Sequence, residues 1–152
     1  MTIRRRDLIT LLGGAAAWPL TARAQQRTMR RIGVLLPGDE NDPVWKTRLS
    51  AFTQALAGLG WTDGRNVRID LRGGGLDINR ISALAQELVG LQPDIILASA
   101  TPATAAVQRE TRTNPIIFAN AADPLASGLV ARLNRPSGNV TGFATFEAPL
   151  GG

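Results

Sequence analysis

An α/β fold built on one open parallel sheet of about five strands, three layers deep with helices on both faces, is predicted by two observations. Strand-like and helix-like segments alternate along the chain in units of roughly 30 residues, the length of a strand with its crossover helix. The first, third and fourth strand-like runs are continuously apolar, as strands are when helices cover both faces of a sheet.

Each element has its own signal. RIGVLL, Arg31–Leu36, is a short apolar run and the first buried strand. Trp45, Leu49, Phe52, Leu56 and Leu59 then recur at steps of four and three, one face of a helix that Gly58 and Gly60 end. TDGRN is a turn, and VRIDLR, Val67–Arg72, alternates apolar with polar as a half-exposed strand does. Gly73-Gly74-Gly75 is a loop, and Ile81, Leu84, Leu88 and Leu91 mark the second helix. PDIILA is the third strand, a third helix follows Pro102, and PIIFA, Pro115–Ala119, is the fourth strand. Leu125, Leu129 and Leu133 predict a fourth helix, and GNVTGFA a fifth strand.

An open α/β sheet binds its ligands at the carboxyl ends of its strands, so function is sought in the strand-to-helix loops. Three of them share a device: Asp42-Pro43, Thr101-Pro102 and Asp123-Pro124 each set an N-cap residue before a proline at the first helical position. At Asp42 helix initiation suffices as the explanation. At Thr101 there is more: the free amides of a helix amino end hold an anion without a charged side chain, and Ser99 and Thr101 add hydroxyls beside them. Ala103, with the neighbouring alanines, leaves room for a ligand near the backbone. One loop further on, Asn120 offers a donor and an acceptor, and Asp123 has a carboxylate oxygen for an ammonium group. Ser99, Thr101, Ala103, Asn120 and Asp123 are therefore the candidate ligand-binding residues, and their chemistry suits a zwitterion such as an amino acid. Trp45 lies on the apolar stripe of its helix and is assigned to the core; Trp61, after Gly60, plugs a helix-to-strand corner.

Composition removes other functions. With neither cysteine nor histidine among 152 residues, the chain lacks thiolate ligands, the commonest metal ligand and the commonest general base. Ser99 has no histidine to activate it and Lys46 is the only lysine, so no catalytic residue, metal or cofactor is expected. Gly73-Gly74-Gly75 lacks dinucleotide-binding spacing, and no phosphate-binding G-x-x-x-x-G-K-[ST] occurs. The net charge of +5 is concentrated at the amino terminus, where Arg4, Arg5, Arg6 and Arg23 face Asp7 alone. The remainder is nearly balanced, and no basic patch suggests nucleic acid.

That amino-terminal segment reads as an export signal over residues 1–24. It has a basic start, a short apolar stretch from Leu8 to Leu20 and a small-residue site at Ala22-Arg23-Ala24. Arg5-Arg6-Asp7-Leu8-Ile9 resembles a twin-arginine motif. Cleavage after Ala24 delivers the protein to a periplasm; no cysteine follows to carry a lipid, and no stable membrane insertion remains. Residues 25–30 are a linker, 31–143 the folded lobe, and 144–152 a hinge or crossover.

RIGVLLPG, FTQALAGLGWTDGRNVRID and the long run ALAQELVGLQPDIILASATPATAAVQRETRTNPIIFANAADPLASGLVARLNRPSGNVTGF together resemble the ABC-transporter substrate-binding proteins related to tryptophan-binding lipoproteins. The resemblance runs from about Arg31 to Phe143. It implies a type I periplasmic binding-protein fold, two α/β lobes that hold a small solute between them and pass it to an ABC permease and its ATPase. In that fold the loop after the third strand commonly contacts an amino-acid carboxylate, which falls here on Ser99-Ala100-Thr101. Such proteins are about twice this long, so the chain corresponds to the amino-terminal lobe, expected to bind solute weakly without its second half. The same fold also serves extracytoplasmic sensing modules that signal to a membrane partner, and a fused signalling segment would separate the two functions.

Overall fold

The computed structural model describes residues 29–134 and 138–145. The export signal, the linker up to residue 28 and the hinge from residue 146 lie outside the described residues. The elements are β1 (Arg30–Leu36), α1 (Pro43–Gly58), β2 (Val67–Gly73), α2 (Ile78–Gly90), β3 (Ile95–Ser99), α3 (Ala100–Glu110), β4 (Ile116–Ala122) and β5 (Val140–Thr145). They form one sheet in the order β2-β1-β3-β4-β5 with every neighbouring pair parallel. The five predicted strands are thus all present, each within a few residues of its expected bounds.

Helix ends follow local chemistry. The Asp42 carboxylate accepts from the Val44 amide at 2.8 Å and Pro43 opens α1, where its missing N–H leaves nothing unpaired. At the far end Gly60 takes a φ of 88° and the Trp61 amide donates back to the Leu56 carbonyl, a left-handed C-cap. Asp77 caps α2 by accepting from the amides of Asn79 and Arg80. At the amino edge of the sheet Asp94 accepts from the Arg31 amide and the Arg30 guanidinium, both at 2.8 Å, which ties the start of β3 to β1. Asn114 donates to the Pro93 carbonyl and Asn139 to the Asn114 carbonyl, fastening β4 and β5 to the same edge.

Strand alternation divides the sheet into two unlike faces. Leu35, Ile96, Ala98, Ile116 and Phe118 point to one side and form the core with Ile81, Ala85 and Leu88 of α2 and Ala103, Ala106 and Val107 of α3. The intervening residues, Val34, Leu36, Leu97 and Ala119, point to the other side, where α1 lies. No residue of α1 is fully buried. Helices therefore flank both faces, but the packing is concentrated on one.

Two local expectations fail. The helix predicted through Leu125, Leu129 and Leu133 is a short turn: the Ser127 amide reaches the Asp123 carbonyl, and Gly128 at φ 69° then closes the turn, with the Leu129 amide donating to the Pro124 carbonyl. A glycine in the left-handed region one turn after the cap ends the helix before it can propagate. Only Leu129 and Val130 reach the core, whereas Leu125 and Leu133 are exposed. At the β3–α3 junction the helix starts two residues earlier than the Thr101-Pro102 device implies, at Ala100, with Ser99 in the N-cap position.

Candidate functional site

Strand order reverses at β1, which leads to β2 on one side and stands next to β3 on the other. In doubly wound sheets that reversal opens a crevice at the carboxyl ends of the strands. A cavity of about 300 Å³ occupies this position. Val34 and Leu36 of β1, Leu97 and Ser99 of β3, and Ala119 and Asn120 of β4 form its floor; Trp45, Arg48, Leu49 and Phe52 of α1 form its wall. Most of the lining is apolar, with Arg48, Ser99 and Asn120 as its polar residues, as in small-molecule sites generally.

Backbone strain gathers at the same edge. Of the four non-glycine residues with positive φ among the described residues, three leave the ends of β3 and β4: Ala100 at 65°, Asn120 at 57° and Asp123 at 38°. The left-handed turn at Asn120 coincides with a shift in the β4–β5 register between Ala119 and Ala121, a bulge that takes the asparagine out of the strand alternation. Asparagine tolerates this conformation better than most residues. Alanine does not, so Ala100 is held there by its surroundings, a form of strain that clusters at ligand sites.

The five candidate residues separate in space. Ser99 and Asn120 both line the cavity. Ser99 is only 7% exposed, its hydroxyl caps no amide of α3, and it makes no side-chain hydrogen bond among the described residues. Thr101 does not line the cavity; its hydroxyl donates to the Ala122 carbonyl at 3.3 Å and ties the first turn of α3 to the end of β4. Asp123 is exposed beside it, its carboxylate accepting from the Ala126 amide at 3.0 Å, so it acts as the cap of its own turn. Ala103 is 0% exposed and packs in the α2–α3 core. Its side chain faces away from the cavity, because the helix turns that position onto the sheet.

The cavity wall is what sequence reasoning missed. Trp45, assigned to the core, is half-buried and faces the cavity together with Phe52. The Arg48 guanidinium lies 4.8 Å from the centre of the Trp45 ring, within cation–π range. The indole edge also rests against Gly38 of the β1–α1 loop, where any β-carbon would collide with it. The helical period identified the apolar face of α1 correctly. What it could not show is that this face lies over a cavity and not over a filled core.

No described helix is long and apolar enough to cross a membrane. Among comparisons with known proteins, the chain is 35% identical over 95 residues to a tyrosine-binding protein of Clostridioides difficile (strain R20291), a match that covers 62% of this chain and 28% of that one. The structure of the ABC domain in complex with L-Trp from Streptococcus pneumonia superposes with a TM-score of 0.70 at 30% identity, over 77% of this chain and 39% of that one. The ligand-free, open structure of a substrate binding protein with adhesive properties from Clostridium difficile gives 0.72 at 29% identity, over 79% and 40%. The chain thus spans less than half the length of each of these relatives. The model of a family described as ABC transporter substrate binding protein matches residues 40–148. That match extends through every element after β1, including both cavity-lining strand ends and the helix above them, and the chain belongs to the ABC transporter substrate-binding protein family.

Proposed function

We propose that this chain is the amino-terminal ligand-binding lobe of an exported solute receptor for ABC import. In this reading it receives a small amino acid-like molecule with an apolar or aromatic body in the cavity between α1 and the ends of β1, β3 and β4. The observation that carries the proposal is Ser99, a nine-tenths buried residue on an aromatic-walled cavity whose hydroxyl makes no hydrogen bond among the described residues. That hydroxyl is free to donate a hydrogen bond into the cavity, and a ligand carboxylate is a group that would accept it. The amino end of α3 lies directly after Ser99 and adds its positive dipole end. A tyrosine-binding relative and a relative in complex with L-Trp support an aromatic amino acid as the first ligand to try. Export by the amino-terminal signal, residence in a periplasm and delivery to a membrane permease complete the proposal.

One lobe offers only one side of a two-sided grip, so affinity for the isolated chain is weak. Titration of L-tryptophan and L-tyrosine into the full chain by isothermal calorimetry tests this. Dissociation constants on the order of millimolar, weakened several-fold in S99A, are expected. A response unchanged in S99A would remove the cavity from consideration, and no heat for any aromatic amino acid would remove amino acids as its ligands; micromolar binding would overturn the one-lobe account.

A further inference from the structure

Among the described residues, every charge that lines the cavity is positive. Arg48 is the sole charged residue among those lining it, and it makes no ion pair and no hydrogen bond among the described residues. Its planar face is occupied by Trp45 at 4.8 Å, which fixes the side chain at the cavity wall and leaves its edge N–H groups available. Across the cavity stand the unpartnered Ser99 hydroxyl and the amino end of α3. None of the acidic residues of the adjoining loops, Asp39, Glu40, Asp42 and Asp123, lines the cavity, and Asp39, Asp42 and Asp123 each accept from a local backbone amide. Among the described residues the cavity lining therefore has two places for a carboxylate and no carboxylate of its own for an ammonium.

We infer that Arg48 is a specificity-determining residue that makes this lobe select a net anion, an aromatic carboxylate without an α-ammonium group, over the corresponding zwitterion. The inference rests on the cavity being the ligand site and narrows the ligand's charge. A carboxylate held between the Arg48 fork and Ser99 forms charge-assisted hydrogen bonds in a largely apolar space, and its aromatic body lies against Trp45 and Phe52. An ammonium on the adjacent carbon would face the same guanidinium and helix end without a counter-charge.

Three probes that share one ring and one chain length separate the possibilities: 3-phenylpropionate, L-phenylalanine and 2-phenylethylamine. Each is titrated into the full chain while the indole N–H signal of Trp45, identified by its loss in W45F, is followed by NMR. The expected result is that phenylpropionate binds about tenfold more tightly than phenylalanine and that the amine leaves the signal unmoved. R48Q should abolish the preference and R48K restore part of it; Arg48 is exposed, so circular dichroism should show both variants folded. Binding of phenylalanine as tight as that of phenylpropionate, or a preference that survives in R48Q, overturns the charge selection and leaves the cavity's role standing. If no probe moves the Trp45 signal, both the inference and the ligand site beneath it fail.

Discussion

Asp94 shows how much one exposed carboxylate can organise. It accepts from the Arg31 amide and, second in importance, from the Arg30 guanidinium, and these two hydrogen bonds hold its carboxyl below the usual aspartate value of 3.8. A group whose folded-state pKa is depressed contributes stability that is fully present above the unfolded-state value and is lost as pH falls through the folded-state value. Here that window opens below about pH 4. The side chain is 41% exposed, so its contribution at neutral pH is no more than about 1 kcal/mol. D94N should therefore lower the urea midpoint modestly at neutral pH and converge with the parent chain as pH falls through the lowered folded-state value. Equal spacing of the two midpoints at neutral pH and in acid would show that Asp94 acts through neutral hydrogen bonding alone. Ser99 and Asn120, which line the cavity, were legible at this scale because hydroxyl and amide residues at the ends of apolar strands are local signals. Ala103 was misjudged because the direction of a helical residue depends on where the helix starts, and α3 starts at Ala100.

Among the elements, β5 has the tightest fit. Its Gly142 pairs in register with Phe118 of β4, and a β-carbon at that position would meet the Phe118 backbone and come within 2.7 Å of its ring. Phe118 is buried in the core and has no room to retreat. G142A should cost about 1–3 kcal/mol through overpacking, read from the urea midpoint. G58A is the matched control, since nothing lies within 4 Å of its β-carbon at the end of α1, and it should be neutral or stabilising by roughly 0.5–1 kcal/mol. Equal effects of the two substitutions would mean that β5 yields freely. Strands were the most legible elements, since a buried parallel strand needs a continuous apolar run wherever it lies. The predicted fourth helix shows the limit: leucines at Leu125, Leu129 and Leu133 have a nearly helical spacing, but Gly128 ends the turn and only the middle leucine is buried.

The whole molecule is lopsided. One face of the sheet packs against α2 and α3, while the other is covered by α1 alone, over a cavity. Phe143, in register with the cavity-lining Ala119 on the neighbouring strand, is 77% exposed, and Leu125 and Leu133 add further apolar surface elsewhere. Exposed apolar surface favours association. In sedimentation velocity the full chain should show a weight-average coefficient that rises with protein concentration, and F143S should flatten the rise. A concentration-independent coefficient would mean that this face is satisfied within one copy. The relatives are about twice this length or longer, and in the proposed receptor a second lobe would face the same carboxyl-end loops.

By itself the sequence determined the fold class, the number of strands and the strand-to-helix loops in which the candidate residues lie. Those follow from periodicities of two and 3.6 residues and from capping chemistry, all encoded within a few residues of chain. Only the tertiary structure decided which candidates meet. It brought Ser99 and Asn120 together from strands that are neighbours in the sheet but about twenty residues apart in the chain. It set Trp45 and Arg48 over them from a helix much earlier in sequence, and it turned Ala103 into the core. An apolar stripe specifies that a helix has an inward face. What that face meets, a packed core on one side of this sheet and an open cavity on the other, depends on how many other elements arrive to cover it.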